Sequence, residues 1–136
     1  MAFKTIAALA FASVFYTADT SNVEEITPET FNENVIENNL PAVVEFYSET
    51  CAPCRHMRTL FEKVCKELEG QVYCAAYKVE QDDNARRGPS FTYNARDVPQ
   101  FGFFCRGVPD RELWLDRGTA ESILRMKMED LIYECR

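Results

Sequence analysis

The chain has 136 residues, enough for one domain with a real core, and its 46% apolar content excludes wholesale disorder. A formal net charge of −7 excludes nucleic acid as an expected partner, because phosphate binding needs clustered cations. Six cysteines are unusual in a cytosolic chain that binds no metal, whereas an oxidising lumen uses them.

Residues 1–4 carry one cation, Lys4, and 5–18 run without a charge, rich in Ala, Phe, Ile, Leu and Val. That run is short for a bilayer span and suits the apolar region of a secretory signal peptide; a buried or amphipathic N-terminal helix is the alternative. Cleavage would follow Ala12 or Ala18. The expected division is a leader over 1–18 and a domain over 19–136, with no stable membrane span once the leader is removed. No arginine precedes Arg55, which argues against a mitochondrial presequence.

A short strand is expected over 22–26. Thr27-Pro28-Glu29 then predicts a helix start, with a hydroxyl cap, proline in the first turn and an acid beside it; the helix should run to about 38. Residues 40–47 read as a buried strand, 48–50 as a turn, and 53–69 as a helix with Met57, Leu60, Phe61, Val64 and Leu68 on its apolar side. A strand follows over 72–79. Residues 81–93 predict a short, irregular helix interrupted at Gly88-Pro89. Residues 100–105 and 112–115 read as strands joined by a turn over 106–110, and 119–133 as the last helix, with Ile123, Leu124, Met128, Leu131 and Ile132 as its apolar face. Strands alternating with helices predict an α/β fold, a central mixed sheet flanked by helices on both faces, with the closing strand pair antiparallel.

Cys51-Ala52-Pro53-Cys54 places two thiols one turn apart where the buried strand gives way to a helix. A cysteine at a helix start sits among unpaired N–H groups, which favour the thiolate that attacks disulfides. Cys51 is thus a candidate nucleophile and Cys54 the thiol that resolves the mixed disulfide. Glu45 stands in the middle of the apolar strand, where a carboxyl must stay protonated or find polar contacts, and where it could move protons for Cys54. The alternative is a strand edge at which Glu45 reaches solvent. Pro99 directly precedes an apolar strand. A cis bond after Val98 would present Val98 backbone groups to an extended peptide, while an ordinary trans turn is the alternative.

With these residues in hand, the chain resembles the thioredoxin superfamily, and most closely a single catalytic domain of protein disulfide isomerases. The segments that carry the resemblance are Val23-Glu24-Glu25-Ile26-Thr27-Pro28-Glu29-Thr30-Phe31, Val43-Val44-Glu45-Phe46-Tyr47 with Cys51-Ala52-Pro53-Cys54, Tyr77-Lys78-Val79-Glu80 and Tyr93-Asn94-Ala95-Arg96-Asp97-Val98-Pro99. Gly118 falls where a glycine precedes the last helix. The resemblance implies a thioredoxin fold, Cys51 and Cys54 as the redox pair, Glu45 as the buried acid and Pro99 as the cis-proline beside the sulfurs. It implies client contact through Val98, Ala52 and Pro53.

Several positions depart from that pattern. Thr50 stands where an aromatic residue usually precedes the first cysteine, and Thr59 near the place of a kink proline. Ala52-Pro53 is closer to thioredoxin's Gly-Pro than to the isomerases' Gly-His, so no imidazole beside Cys51 would stabilise its thiolate. Arg117 precedes Gly118 instead of following it and does not match the isomerases' loop arginine. The end Tyr133-Glu134-Cys135-Arg136 is not a KDEL-type retrieval signal.

Four cysteines remain, Cys65, Cys74, Cys105 and Cys135. Cys65 lies eleven residues from Cys54, nearly on the same helix face, and Cys74 opens the next strand at about the same height, so a Cys65–Cys74 bridge is one reading and buried free thiols the other. Cys135 is expected as a free or intermolecular thiol in a fraying tail. His56, the single histidine, would leave a zinc site with Cys51 and Cys54 short of a ligand, so no metal is expected. The reading is a thiol–disulfide oxidoreductase of isomerase type in the endoplasmic reticulum lumen or secreted, acting on client proteins with thiols or disulfides, with a redox partner protein and no cofactor beyond its dithiol. A thioredoxin-like general reductant and a non-catalytic binding subunit are the alternatives.

Overall fold

Strand β2, Ala42–Tyr47, is buried through Phe46, and the rest of the molecule is built around it. The computed structural model describes residues 21–82 and 85–136. The expected leader over 1–18 lies outside the described residues. Ahead of β2 come β1, Val23–Ile26, and α1, Pro28–Phe31, which continues as a π-helical turn over Asn32–Ile36. Thr27 and Thr30 cap α1 reciprocally, each side chain accepting the other's backbone N–H at 3.3 and 2.9 Å. After β2 follow α2, Ala52–Glu67; β3, Tyr73–Lys78; a 3₁₀ turn, Val79–Gln81; and α3, Pro89–Thr92. Then β4, Gln100–Cys105; β5, Val108–Pro109; and α4, Glu121–Glu134 complete the chain.

The strand order is β1-β3-β2-β4-β5. β3 runs parallel to both β1 and β2, whereas β4 is antiparallel to β2 and β5 to β4. Alternation along β2 divides the core into two layers. Val43 faces Met57, Phe61 and Val64 of α2 and Leu124, Met128 and Leu131 of α4. Ala42, Val44 and Phe46 face Phe31 and Val35 on the other side, with Tyr77 and Phe104. The expected mixed sheet with helices on both faces is therefore present.

Two local expectations are corrected. The closing strand is β5, not 112–115. Arg106 and Gly107 both adopt positive φ, 49° and 80°, giving the two-residue hairpin turn whose twist matches the strands, so pairing resumes at once with Cys105 opposite Val108. Asp110 Oδ1 then accepts from the N–H groups of Glu112 and Leu113, both at 3.1 Å, which curls that segment; only Leu115 rejoins the sheet, as a bridge to Phe101. Gly88 does not interrupt a helix but begins one. Its φ of 128° lets the chain turn against the Asp82 carboxylate, and Pro89 opens α3. The first helix changes to π geometry at Asn32 and ends at Glu37, whose N–H donates to Asn32 O at 2.9 Å.

Two disulfides brace this frame away from the Cys51-Cys54 turn. Cys65–Cys74 ties α2 to β3 with Cα atoms 6.3 Å apart, as one reading of the spacing has it. Cys105–Cys135 ties β4 to the end of α4, with Cα atoms 5.5 Å apart. Cys135 is thus neither free nor in a fraying tail. Its N–H donates to Leu131 O at 2.9 Å, so α4 stays capped up to the sulfur.

Candidate active site

The antiparallel register of β2 and β4 brings the end of one strand to the start of the other, with Phe46 opposite Gln100. Pro99 therefore lies at the sheet edge from which the chain enters α2, and the Val98–Pro99 peptide is cis. Pro99 is buried and Val98 half-buried. A Cβ at Gly118 would meet both Met57 of α2 and Pro99, which places the three side by side.

Cys51 caps α2 from an extended conformation, and its Sγ accepts the Cys54 N–H at 3.2 Å. The two sulfurs are bonded at 2.13 Å, with Cα atoms 5.3 Å apart. Their exposure differs: Cys51 is half-buried, Cys54 only 2% exposed, and Ala52 and Pro53 stand out into solvent between them. An attacking thiol reaches Cys51 before Cys54. The start of a sixteen-residue helix also offers positive dipole potential to any thiolate formed there.

Glu45 lies under this turn with no exposed surface. It pairs with Ala76 of β3 on one side and Phe101 of β4 on the other, so it stands in the middle of the sheet and not at an edge. Oε1 accepts from Arg58 Nε at 2.9 Å, while Oε2 has no partner among the described residues. Burial raises its pKa from 4.5 to about 7 despite the Arg58 charge, which acts in the opposite direction; Glu25 and Glu62 add to the rise. A cavity of about 340 Å³ opens beside it, lined by Glu45, Tyr47, Ser48, Glu49, Cys54, Arg55 and Arg58. Glu45 and Cys54 thus line the same space.

Sequence reasoning did not anticipate the partners of Glu45. Arg58 extends past it to Glu25 Oε1 at 3.0 Å and lies over the Tyr47 ring at 4.7 Å, and the Tyr47 hydroxyl donates to Glu25 Oε2 at 2.8 Å. The available signal was spacing. Arg58 is four residues after Cys54 and so falls on the same helix face. His56 is exposed, and among the described residues no cluster of His, Cys, Asp or Glu is arranged to hold a metal.

The family model described as thioredoxin matches residues 22–125, which spans every element from β1 into α4. The chain belongs to the thioredoxin family. Thioredoxin of Rickettsia bellii is 34% identical over 82 residues, covering 60% of this chain and 74% of that protein. Thioredoxin of Rickettsia prowazekii is 32% identical over 85 residues, or 62% and 77% of the two chains. Thioredoxin of Pyropia yezoensis is 30% identical over 86 residues, or 63% and 77%. Membership in the thioredoxin family makes the chain a thiol–disulfide oxidoreductase, and the Cys51–Cys54 pair is where its structure offers that chemistry. Among the described residues of this thioredoxin-family chain, no helix is long and apolar enough to cross a membrane.

Proposed function

We propose that this chain is an isomerase-type thiol–disulfide oxidoreductase of the secretory route, in the endoplasmic reticulum lumen or secreted, with Cys51 as nucleophile and Cys54 as resolving thiol. The observation that carries the reading is the asymmetry of the pair, an accessible Cys51 bonded to a buried Cys54 that shares a cavity with Glu45. The Cys65–Cys74 and Cys105–Cys135 bridges support an oxidising compartment.

In the reducing direction, the Cys51 thiolate attacks one sulfur of a client disulfide and the other sulfur leaves as a thiolate. Cys54 then gives its proton to the Glu45 carboxylate and attacks Cys51 Sγ, which breaks the mixed disulfide and releases the second client thiol. The client gains two electrons and the Cys51–Cys54 pair loses them. Oxidation runs the same steps backwards, and rearrangement leaves the pair's redox state unchanged. Extended client backbone would pair at Val98, with apolar contact at Ala52 and Pro53. Cys51→Ala should abolish turnover in insulin reduction and in refolding of scrambled ribonuclease; retained activity would refute the site.

A specific feature favours the second reading, a thioredoxin-like general reductant. Ala52 and Pro53 fill the turn without an imidazole, and the similar proteins of Rickettsia bellii and Pyropia yezoensis are named thioredoxins. Equilibrating the Cys51–Cys54 pair with glutathione separates the two. An isomerase-type couple falls at about −180 mV, a reductant at about −270 mV.

A further inference from the structure

The Arg58 guanidinium is shared between two carboxylates of opposite exposure. One edge holds Glu45 Oε1 at 2.9 Å with no solvent contact; the other holds Glu25 Oε1 at 3.0 Å, where that side chain is 55% exposed. Tyr47 completes the enclosure, with its ring beneath the guanidinium and its hydroxyl on Glu25 Oε2 at 2.8 Å. Only one Glu45 oxygen is used, and the residue lines the cavity that Cys54 also lines.

We propose that Arg58 is a positioning residue for disulfide exchange: bridged between Glu45 and Glu25, it fixes the buried carboxyl beside the cavity that Cys54 also lines and sets how tightly that carboxyl holds its proton. The inference rests on Glu45 acting as the base for Cys54. Three observations support it. The geometry leaves Arg58 little freedom, because a planar guanidinium held at two edges over a ring cannot rotate without breaking a charged hydrogen bond. The cavity that Glu45 and Cys54 both line is large enough for water, which would carry the Cys54 proton to the carboxyl as Cys54 attacks Cys51 Sγ, and from Glu45 outward afterwards. The charged groups that act most on Glu45 are Arg58 and Glu62 from α2 and Glu25 from β1, with Glu49 and Arg55 also on the cavity wall, whereas its neighbours on β3 and β4 are Ala76 and Phe101. Arg58 is the cation in direct contact with the carboxyl, and Glu25, which shares it, sets how much of its charge Glu45 feels.

The test compares wild type, Arg58→Met, Arg58→Lys and Glu25→Gln. Two quantities are followed against pH: the single-turnover rate of mixed-disulfide resolution, and the Glu45 carboxyl ¹³C resonance. Wild type should show both midpoints at about 7. Arg58→Met should raise both by about 1–3 pH units, the range for losing an adjacent opposite charge. Arg58→Lys should restore part of the shift, and Glu25→Gln should lower both midpoints by removing a like charge. A merely structural role would lower stability or amplitude and leave the midpoints in place, and that result would overturn the proposal. A carboxyl midpoint that moves while the exchange midpoint stays would also overturn it, yet leave the Cys51–Cys54 activity standing. If Arg58→Met fails to fold, Glu25→Gln decides alone, because an unmoved midpoint there contradicts the bridge.

Discussion

Arg58 Nε lies 2.9 Å from Glu45 Oε1, so the helix that carries Cys54 also holds the buried acid of the central strand. Sulfur, carboxyl and cation are positioned by one packing contact, α2 against β2. A shift of α2 along the sheet would therefore change all three at once, whereas replacing a single side chain separates their effects.

Glu45 should make stability depend on pH. Burial lifts its pKa from 4.5 to about 7 in the folded chain, while the unfolded chain titrates near the ordinary value. Below the unfolded value both states hold the proton and the group costs nothing. As pH rises toward about 7 the unfolded state releases its proton first, so stability falls on the order of 3 kcal/mol and stays down above that pH. Urea unfolding at pH 5 and pH 8 should show a smaller loss in Glu45→Gln than in wild type. Equal losses would mean that Glu45 is not the raised group.

Removing the Cys105–Cys135 bridge should cost stability and spare the active site. It closes 30 residues of chain, for which loop-closure entropy gives about 3–4 kcal/mol. Cys105 ends β4, and β4 runs antiparallel to β2, so the bridge sits at the opposite end of the sheet from Cys51. The Cys105→Ser, Cys135→Ser double variant should have a lower urea midpoint and an unchanged rate of insulin reduction below its melting range.

Gly88→Ala should destabilise by about 1–3 kcal/mol. Its φ of 128° disfavours a side chain, and a Cβ there would overlap the Asp82 carboxylate. That carboxylate is buried, accepts the Ser90 N–H at 2.8 Å and binds the Tyr77 and Ser90 hydroxyls, so it cannot move aside cheaply. Calorimetry of the variant measures the effect, and an unchanged melting temperature would contradict it.

The candidate site residues were legible because each is a local anomaly in a regular pattern. Glu45 interrupts an apolar run, Pro99 precedes a strand, and Cys51 and Cys54 sit where a strand becomes a helix. The features that escaped depend on partners distant in sequence. An arginine four residues beyond Cys54 reads as solvated helix surface until the sheet beneath it supplies a carboxylate. Cys105 and Cys135 look unrelated because only the packing of α4 brings the end of the chain to β4. The alternation of Leu113 and Leu115 imitates a strand, but the positive φ of Arg106 and Gly107 has already closed the hairpin, and Asp110 bends the segment after it.

The most direct test is to capture the mixed disulfide. Cys54→Ala leaves Cys51 as the free thiol of the pair with the two structural bridges intact, and incubation with disulfide-bonded insulin followed by acid quench and peptide mapping reads out where a client sulfur is held. The adduct should lie on Cys51 and nowhere else, and should persist because no resolving thiol remains. An adduct on Cys65, Cys74, Cys105 or Cys135, or none at all, would contradict the assignment of Cys51 as the nucleophile.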